Sequence, residues 1–420
     1  MATPKLALIP TGYKAGKLYS VLPESGVGDF TVVRATEATR VNEEGLIETM
    51  GANVPRLDYS GGGCPVLLTE PQRSNLVTYS EDYSQSVWTK SKTTIISNSV
   101  VSPNGTLTAD KLVEDTAFGE HIVYDLLITS SGNFSHSIFA KAAERSKIRI
   151  SSGSNLHKVD FDLSNGSIIL EVGATGSIDS MANGWYKLTL SWNESSSVPQ
   201  YAFVSLLDDN GLDSYQGNGS SGLYIWGSQY EVGSYPTSYI KTEGSAVTRN
   251  GDQVNGAGDA ATFNDSEGVL MVETKGENDN TFNYISLSDG GTTNYAAILY
   301  TDTDNQIIYR YYVGGSGVAI TVNSIDVTNF NKIAIKWKAN DFAIWINGIE
   351  VGTTSSGSLN PSGTFNELAF ARGGANNTPF YGNTKQVQYF NTVLTDSELE
   401  TLTSWTSFIE MAQAQNYNII

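Results

Sequence analysis

The chain has 420 residues, more than one ordinary hydrophobic core accommodates, so two or three domains are expected. With 44 acidic and 25 basic residues its formal net charge is −19, which disfavours nucleic-acid binding and attraction to an anionic membrane surface. Cys64 is the only cysteine, which excludes an intramolecular disulfide and a cysteine-rich zinc site. We find no apolar segment of the length that a signal peptide or a membrane span requires, and expect neither.

Composition indicates the fold class. Charged residues make up 16% of the chain, and glycine (41) and tyrosine (22) are abundant, which favours strands and turns. Residues 1–75 contain short apolar runs, such as Phe30-Thr-Val-Val33, that are broken by glycine and proline. We interpret 1–75 as an N-terminal segment for attachment and oligomerisation. A β-hairpin packed on the next domain remains an equal alternative.

Residues 76–248 show short strands at regular spacing, the pattern of a β-sandwich. The clearest strand follows the Asn183-Gly184 turn, where apolar side chains from Tyr186 to Trp192 alternate with Lys187, Thr189 and Ser191. The run of small and polar residues from 245 to 258 then marks a domain boundary. We therefore predict a jelly roll over 76–248.

A second sandwich is predicted over 249–405. Its strongest signal is Asn347-Gly348 between two apolar strands, because this dipeptide supplies the positive φ angles of a type I′ turn. Thr395-Asp-Ser-Glu398 has the form of a capping box and predicts a short helix from Asp396 to about Ser404. Residues 406–420 form a tail. The predicted class is all-β, with an N-terminal anchoring segment, two antiparallel β-sandwich (jelly-roll) domains and a short C-terminal helix.

Two sets of phrases resemble virion structural proteins of the phage head-fibre and tail-fibre type. The first set comprises Asn53-Val-Pro-Arg-Leu-Asp-Tyr59, Leu67-Leu-Thr-Glu-Pro-Gln-Arg-Ser-Asn-Leu76, Tyr79-Ser-Glu-Asp-Tyr83 and Trp88. The second comprises Trp226-Gly-Ser-Gln-Tyr-Glu-Val-Gly-Ser-Tyr-Pro-Thr-Ser-Tyr-Ile240 and Gly244-Ser-Ala-Val-Thr-Arg249. The resemblance implies a virion appendage, commonly trimeric, that attaches to other virion proteins through its N-terminal segment.

Each predicted sandwich resembles a known domain type. Gly184-Trp185-Tyr186 resembles a strand opening of carbohydrate-binding-module-like jelly rolls, which concerns fold and not ligand. Phe342-Ala-Ile-Trp-Ile-Asn-Gly348 and Gln388-Tyr-Phe-Asn-Thr-Val-Leu-Thr-Asp-Ser-Glu-Leu-Glu-Thr-Leu402 resemble laminin-G and concanavalin A-like lectin domains. This likeness implies a C-terminal lectin fold.

Catalytic chemistry finds little support in the sequence, and we predict that the protein is not an enzyme. Triad catalysis needs a histidine base, and isolated histidines on strands are more often structural; the three are His121, His136 and His157. Glycoside hydrolysis needs two carboxylates, and a polysaccharide depolymerase is the enzymatic alternative. Solvated strand faces explain the candidate pairs better; these are Glu267 with Glu273 and Asp160 with Asp162.

A glycan site requires an aromatic platform with polar groups beside it. The better candidate is the glycine- and asparagine-rich loop 372–381, because binding loops on rigid sandwiches have this composition. The other is Tyr309-Arg-Tyr-Tyr312. The predicted glycan-binding residues are Tyr309, Tyr311, Arg372, Asn376, Asn377, Phe380 and Tyr381. Core or strand-edge packing of the aromatics is the alternative, and we assign at least two of Trp226, Trp337 and Trp345 to packing.

Calcium is the one cofactor that the sequence suggests, because hard oxygen ligands cluster in two loops. The predicted ligands are Asp302, Asp304 and Asn305, and the second loop is Glu277-Asn-Asp-Asn280. Turn formation by these side chains is the alternative.

These patterns together predict a structural virion protein, assembled in the host cytoplasm, that adheres to a host cell-surface polysaccharide. We expect a homotrimer that binds other virion proteins but neither nucleic acid nor membrane. A purely structural decoration or connector protein is the first alternative, and the depolymerase is the second.

Overall fold

The computed structural model describes residues 2–153, 156–276, 282–374, 378–406 and 410. Most of these residues lie in antiparallel strands or in the turns between them, which confirms the predicted all-β class. No described helix is long and apolar enough to span a membrane.

The strands are short and numerous, as the dense turn residues predict. The first sixteen are β1 (Leu6–Leu8), β2 (Tyr13–Lys14), β3 (Lys17–Leu18), β4 (Phe30–Val33), β5 (Ala38–Val41), β6 (Ile47–Met50), β7 (Arg56–Asp58), β8 (Val66–Thr69), β9 (Arg73–Asn75), β10 (Thr89–Ser91), β11 (Thr93–Val100), β12 (Ala109–Glu114), β13 (Phe118–Lys141), β14 (Lys147–Ser151), β15 (Lys158–Asp162) and β16 (Ser167–Val172). The next are β17 (Thr175–Ser180), β18 (Tyr186–Leu206), β19 (Ser214–Gln216), β20 (Gly222–Val232), β21 (Val247–Arg249), β22 (Gln253–Asn255), β23 (Glu267–Gly276), β24 (Asn283–Ser288), β25 (Tyr295–Tyr300), β26 (Gln306–Val313), β27 (Ser316–Asn323), β28 (Asn331–Lys338), β29 (Asp341–Ile346), β30 (Ile349–Thr354), β31 (Glu367–Ala369) and β32 (Gly382–Phe390), followed by helix α1 (Asp396–Thr403).

The chain forms two compact units. Unit 1 comprises Met1–Glu37, Met50–Pro71 and Gly251–Ile420, and unit 2 comprises Ala38–Thr49 and Gln72–Asn250. The change of unit between Asn250 and Gly251 lies close to the boundary expected from composition. The predicted segment 1–75, by contrast, is not a separate body, because its strands are divided between the two units.

The main body of unit 1 is a sandwich of two antiparallel sheets, and a third, four-stranded sheet of order β2-β3-β4-β22 adds apolar side chains to the same core. The larger sheet has the order β30-β29-β28-β23-β32-β8-β7, with β1 also paired to β32, and the smaller has the order β27-β26-β25-β24-β31. Apolar side chains from both sheets form one core, in which Leu270 and Val272 of β23 join Ile285 and Leu287 of β24. The outward-facing side chains of each sheet are not part of this core and form separate clusters.

The N-terminal residues belong to unit 1 for two physical reasons. Strand β1 pairs with β32 in the register Leu6 opposite Tyr389, so it is part of the larger sheet. Arg34 and Arg56 are fully buried and both bind the carboxylate of Asp252, the former with Nη1 at 2.8 Å from Oδ1. Because sequence periodicity does not show such long-range pairs, the sequence did not predict that residues of the expected attachment segment belong to this core.

Helix α1 packs on the outer face of the larger sheet, where Leu399 contacts a cluster that includes Met271 and Trp345. Its N-cap is Thr395, and the capping box with Glu398 is present as predicted. The predicted hairpin is also confirmed, because β29 and β30 are joined at Asn347 and Gly348, which have φ angles of 50° and 87°.

Unit 2 contains an eleven-stranded antiparallel sheet of order β11-β12-β20-β13-β18-β14-β15-β16, with β10 and β19 paired to β13 and β17 paired to β18. Its longest pairing joins β13 and β18 from His121 opposite Leu206 to Ala140 opposite Tyr186. The Asn183-Gly184 turn that precedes β18 has positive φ angles of 61° and 74°.

The two phrase sets with phage resemblance come together in unit 2. Strand β9 pairs with β21, and the Asn75 amide donates to the carbonyl oxygens of Ser228 and Ile240 at 3.1 and 2.9 Å. The hydroxyls of Ser80 and Tyr239 lie 2.7 Å apart. The residues of these phrases therefore join the beginning and the end of the chain segment Gln72–Asn250 by hydrogen bonds.

Candidate functional site

The outer face of the five-stranded sheet in unit 1 carries tyrosine and arginine side chains. Because successive side chains in a strand point to opposite faces, the inward set Ala296 and Ile298 belongs to the sandwich core, whereas Tyr295 and Ala297 belong to a separate cluster. We call the outer surface formed by Tyr284, Tyr295, Arg310, Tyr312 and Arg372 the tyrosine–arginine face.

Strand register brings these side chains together. Tyr295 lies opposite Tyr312 across β25 and β26, and Ala297 lies opposite Arg310. The small side chain of Ala297 leaves room above the sheet, and the Tyr284 ring approaches the Tyr295 ring to 6.4 Å between centroids. The rings of Tyr295 and Tyr312 are 5.1 Å apart. The result is a floor of three aromatic rings.

Arg310 lies over this floor. Its Nη1 donates a hydrogen bond to the Tyr284 hydroxyl at 2.7 Å, and its guanidinium carbon is 5.6 Å from the centre of the Tyr312 ring. A guanidinium in contact with an aromatic face gains a cation–π attraction of about 0.5–2 kcal/mol. Both contacts fix the direction in which the remaining N–H donors point.

A single serine positions Arg372 over the same floor. The Ser286 hydroxyl donates to the carbonyl of Ala371 at 2.6 Å and accepts from the Gly373 amide at 3.2 Å, so it holds the residues on both sides of Arg372. The guanidinium carbon of Arg372 lies 5.8 Å from the Tyr284 ring centre and 5.5 Å from that of Tyr295.

The loop between β24 and β25 supports Arg372 from the side. Arg372 Nη2 donates to the Thr292 carbonyl at 3.1 Å. The loop is held by Asp289, which accepts from the Gly291 amide and the Asn294 side chain at 2.8 and 2.7 Å. Asn294 in turn accepts from the Gly314 amide at 2.8 Å. The arginine is therefore seated on an ordered turn.

The electrostatics of this face are cationic. Among the described residues, Arg310 and Arg372 donate to a hydroxyl and a carbonyl and form no ion pair with a carboxylate, and the Nε of each is buried without a described hydrogen-bond partner. Burial raises the pKa of Tyr284 and of Tyr295, so both hydroxyls stay neutral at physiological pH. Tyr284 and Tyr295 are 3% and 0% exposed, whereas Arg310, Tyr312 and Arg372 are partly exposed.

Glu367 is the acidic group on the same side of the sheet. It lies opposite Ser288, which in turn lies opposite Tyr295. Burial raises the pKa of the Glu367 carboxyl, and the charge of Asp289 raises it further. Its Oε1 has no hydrogen-bond partner among the described residues. This carboxyl therefore takes up a proton more readily than an ordinary glutamate.

Comparison with known proteins identifies the segment that carries this face. Residues 270–400 match the family described as the concanavalin A-like lectin/glucanases superfamily, the Laminin_G_3 domain. We call the unit 1 sandwich that contains this segment the lectin domain, after this similarity. No curated protein sequence matches the chain.

Solved structures overlap with parts of the chain. The CBM40 domain of the Ruminococcus gnavus IT-sialidase bound to α2,3-sialyllactose has 18% identity, covering 36% of this chain and 88% of that chain at a TM-score of 0.31. Domain 4 of AbnA, a GH43 extracellular arabinanase from Geobacillus stearothermophilus in complex with arabinotriose, has 13% sequence identity, covering 40% of this chain and 82% of that chain at a TM-score of 0.32. Mouse laminin alpha1 domains LG4-5 have 8% sequence identity, covering 63% of this chain and 85% of that chain at a TM-score of 0.25. Structural similarities with such low TM-scores do not assign a ligand to the lectin domain.

Several of the predicted glycan-binding aromatics lie inside the lectin domain. Tyr309 and Tyr311 are 0% exposed and Phe380 is 1% exposed, so their rings cannot meet a ligand at the surface. The Tyr309 hydroxyl donates to the Lys336 carbonyl at 3.0 Å, and that of Tyr311 donates to the Asp265 carbonyl at 2.7 Å. These three aromatic side chains therefore pack in the core, which was the alternative to glycan binding.

Arg372 is the predicted residue that the structure places on the tyrosine–arginine face. Tyr381 is partly buried, and its amide donates to the Asn283 side chain at 3.3 Å. Asn376 and Asn377 lie outside the described residues. The sequence reasoning missed Tyr284, Tyr295, Arg310 and Tyr312. The sequence did contain one signal for two of them. A charged Arg310 side chain is expected to face outward, and because side chains alternate along a strand, Tyr312 must then face outward as well.

The predicted calcium ligands lie at a turn of the lectin domain. Asp304 and Asn305 line an open surface depression together with Asn323, Ser324 and Asp326, and Asp302 is not among the lining residues. In the described part of the chain, no three acidic, histidine or cysteine side chains are close enough to hold a metal ion. The loop 277–280 falls outside the described residues. Calcium binding at Asp302, Asp304 and Asn305 therefore stays a prediction from the sequence.

Unit 2 presents a second, partly exposed aromatic cluster. Tyr124 lies opposite Phe203, with ring centres 5.6 Å apart, and 5.8 Å from the Tyr201 ring centre. Arg149 lies on the strand beside this cluster, but it is already bound to Asp160 and Asp213. Its charge is therefore compensated, unlike those of the two arginines in the lectin domain.

The histidines have structural environments. His136 is 0% exposed, its Nε2 lies 3.0 Å from the Ser228 hydroxyl, and burial lowers its pKa to about 3. His121 Nδ1 contacts the Lys92 carbonyl at 2.7 Å, and His157 lies between the Gly173 carbonyl and Glu194. A buried imidazole that stays neutral and out of contact with solvent has no substrate to act on.

Proposed function

We propose that this protein binds a glycan through the tyrosine–arginine face of its lectin domain. The observation that carries the proposal is that Arg310, Tyr312 and Arg372, each partly exposed, lie together against the buried rings of Tyr284 and Tyr295. Sugars have apolar C–H faces that pack on aromatic rings, and hydroxyls that need directed donors. Tyr312 supplies the ring, and the two guanidinium groups supply the donors.

The scaffold suits such a role because the side chains are held before a ligand arrives. Ser286 fixes the backbone around Arg372, and Tyr284 fixes Arg310. A preorganised site loses less conformational entropy on binding than a mobile loop would. The lectin domain therefore presents a rigid cationic surface with one aromatic ring.

Glycan-array binding with the purified full chain tests this proposal. The variant Tyr312→Ala should lower affinity for the bound glycan by about 2- to 12-fold, since contact with one aromatic ring contributes about 0.5–1.5 kcal/mol. Tyr201→Ala, which removes a similar ring from unit 2, should bind as the wild type does. Loss of binding in Tyr201→Ala alone would place the site on unit 2, and no binding to any glycan would end the proposal.

We further propose that the glycan is a host cell-surface polysaccharide and that the protein is a bacteriophage virion appendage. Support comes from the phrase sets of residues 53–88 and 226–249, which resemble phage head-fibre and tail-fibre proteins. In this proposal the protein is a homotrimer, assembled in the host cytoplasm and joined to other virion proteins. A purely structural connector protein would share this location without glycan binding.

Antibody labelling of intact particles, imaged by electron microscopy, tests the virion role, and host adsorption scored alongside tests the adhesive role. Label on fibres with blocked adsorption is expected. Label without blocked adsorption would favour the structural connector, and no label on any particle would reject the virion role. Light scattering of the full chain should give the mass of a trimer; the mass of a monomer would refute trimerisation.

A depolymerase is the second candidate, and the carboxyl of Glu367 with its raised pKa is the observation in its favour. Glycoside hydrolysis needs a second carboxylate, and the neighbouring Asp289 already accepts two hydrogen bonds within its own turn. Release of reducing ends from a bound polysaccharide, lost in Glu367→Gln, would establish the enzyme. No release favours a binding protein.

A further inference from the structure

The two arginines of the tyrosine–arginine face differ from most of the other arginines in this chain. Five described arginines form ion pairs with carboxylates, at positions 34, 40, 56, 145 and 149. Arg310 and Arg372 form none with a described carboxylate, although acidic residues outnumber basic ones by 44 to 25 in the sequence. In such an acidic chain, two uncompensated guanidinium groups side by side need an explanation.

Their surroundings make this arrangement costly without a ligand. Each Nε is buried and has no described partner, and each guanidinium lies against tyrosine rings rather than in bulk water. Each guanidinium donates a hydrogen bond, to the Tyr284 hydroxyl or to the Thr292 carbonyl, but these acceptors are neutral, and a partly desolvated charge remains unfavourable without an opposite charge. The tyrosine hydroxyls cannot supply that charge, because burial raises the pKa of Tyr284 and Tyr295 and keeps both neutral.

We infer that the ligand of this face is a glycan whose sugar residues bear an anionic group, either carboxylate or sulfate. This inference rests on the proposed glycan binding and adds the class of sugar. Guanidinium groups bind carboxylate and sulfate oxygens through paired N–H donors, which is a stronger contact than one to a neutral hydroxyl. Tyr312 beside Arg310 then contacts the sugar ring that carries the anion.

The acidic groups near this face do not oppose the inference. Asp289 is turned into its own loop, where it accepts from Gly291 and Asn294. Four neighbouring strands place a row of residues opposite one another, in the order Tyr312, Tyr295, Ser288 and Glu367. Glu367 is therefore three strands away from Tyr312, and neighbouring strands are about 4.8 Å apart. Its raised pKa reduces the negative charge it presents.

The net charge of the whole chain makes the test specific. At −19 the protein repels a polyanion at long range, so nonspecific attraction to an acidic polysaccharide is not expected. Any preference for a charged polysaccharide must therefore come from a local cationic site. Arg149 of unit 2 is neutralised by Asp160 and Asp213, so the aromatic cluster beside it predicts no such preference.

The experiment measures binding of the wild-type full chain to two matched pairs of polymers, polygalacturonate with its methyl ester and dextran sulfate with dextran. Within a pair the sugar backbone is the same and only the charge differs. We expect at least tenfold tighter binding to the charged member of one pair or both, and the pair identifies the anion. This comparison uses no variant, so misfolding does not affect it.

Variants then locate the site. Arg310→Gln and Arg372→Gln should each lower affinity for the charged polymer about tenfold or more, and Arg372→Lys should bind less tightly than wild type because it loses the planar donors. The control Arg40→Gln makes the same change in net charge in unit 2, where Arg40 pairs with Glu48, and should bind as wild type.

Equal binding to both members of each pair, or selection of neutral glycans only on the array, would overturn this inference and leave the proposed glycan binding in place. A charged-polymer preference that survives both Arg→Gln changes would also overturn it. Absence of binding to every polymer and every array glycan would instead refute the proposed function itself.

Discussion

Arg310 Nη1 in β26 donates to the Tyr284 hydroxyl in β24 at 2.7 Å, although β25 lies between these two strands in the sheet. The bond passes over β25, where Ala297 leaves space between them. An outward-facing arginine is thereby bound to the protein surface and not extended into water. This contact is the reason that the face has a defined shape before any ligand binds.

Removing the Ser286 hydroxyl should weaken both the fold and the site. Ser286→Ala deletes two buried hydrogen bonds to the backbone around Arg372, and each contributes about 0.5–1.5 kcal/mol. We expect a loss of about 1–3 kcal/mol in chemical denaturation and weaker binding to the charged polymer. Ser356→Ala, at an exposed position, is the control. Unchanged binding would show that Arg372 does not depend on this serine.

Gly373 should tolerate no side chain. Its φ angle is +72°, and a Cβ there would lie 2.3 Å from the Gly291 carbonyl oxygen. Gly363 has a similar φ angle of +81° but open space around it, so Gly363→Ala measures the backbone cost alone, about 1 kcal/mol. Gly373→Ala should lower the free energy of unfolding by clearly more than this. Equal losses would mean that the loop moves aside without cost.

Asp252 should be essential for the stability of unit 1. It binds the buried guanidinium groups of both Arg34 and Arg56, so Asp252→Asn leaves buried positive charge uncompensated. Breaking a buried pair costs about 3–5 kcal/mol. Glu48→Gln, which breaks the half-exposed pair with Arg40, should cost less than about 1 kcal/mol. Both are measurable by urea denaturation, and similar losses would contradict the assigned role of Asp252.

Stability should depend on pH through Asp125. Burial raises the pKa of this carboxyl to about 6. The folded state then holds a proton that the unfolded state releases near pH 4, so stability falls as pH rises from about 4 to about 6. Asp125→Asn removes this dependence and should stabilise the protein at pH 7.5 by about 1–2 kcal/mol, with little effect at pH 4. Exposed Asp179→Asn is the control, and a gain that is the same at both pH values would exclude titration as the cause.

Local signals in the sequence were sufficient for several elements. The turn at Asn347 and Gly348 and the capping box at Thr395 depend on neighbouring residues only, and both are confirmed. Trp226, Trp337 and Trp345 are 0%, 0% and 7% exposed, which confirms their predicted packing. Such elements follow from turn chemistry and strand alternation.

The candidate site needed information that one segment does not contain. Choosing Tyr309 and Tyr311 selected the inward face of β26, and a shift of one residue would have selected Arg310 and Tyr312. Tyr284, 26 residues before Arg310, joins them only through the pairing of β24, β25 and β26, and Arg372, 62 residues after Arg310, only through the Ser286 bonds to its neighbours. The burial of Arg34 with Asp252 likewise depends on contacts between distant segments.

A crystal structure of the full chain with an oligosaccharide of the charged polymer that binds, trigalacturonate or a sulfated dextran fragment, tests the central claim most directly. The account predicts a sugar ring against Tyr312 and a carboxylate or sulfate group within hydrogen-bonding distance of Arg310 or Arg372. An oligosaccharide bound instead against Tyr124, Tyr201 and Phe203 of unit 2, with the tyrosine–arginine face unliganded, would contradict it.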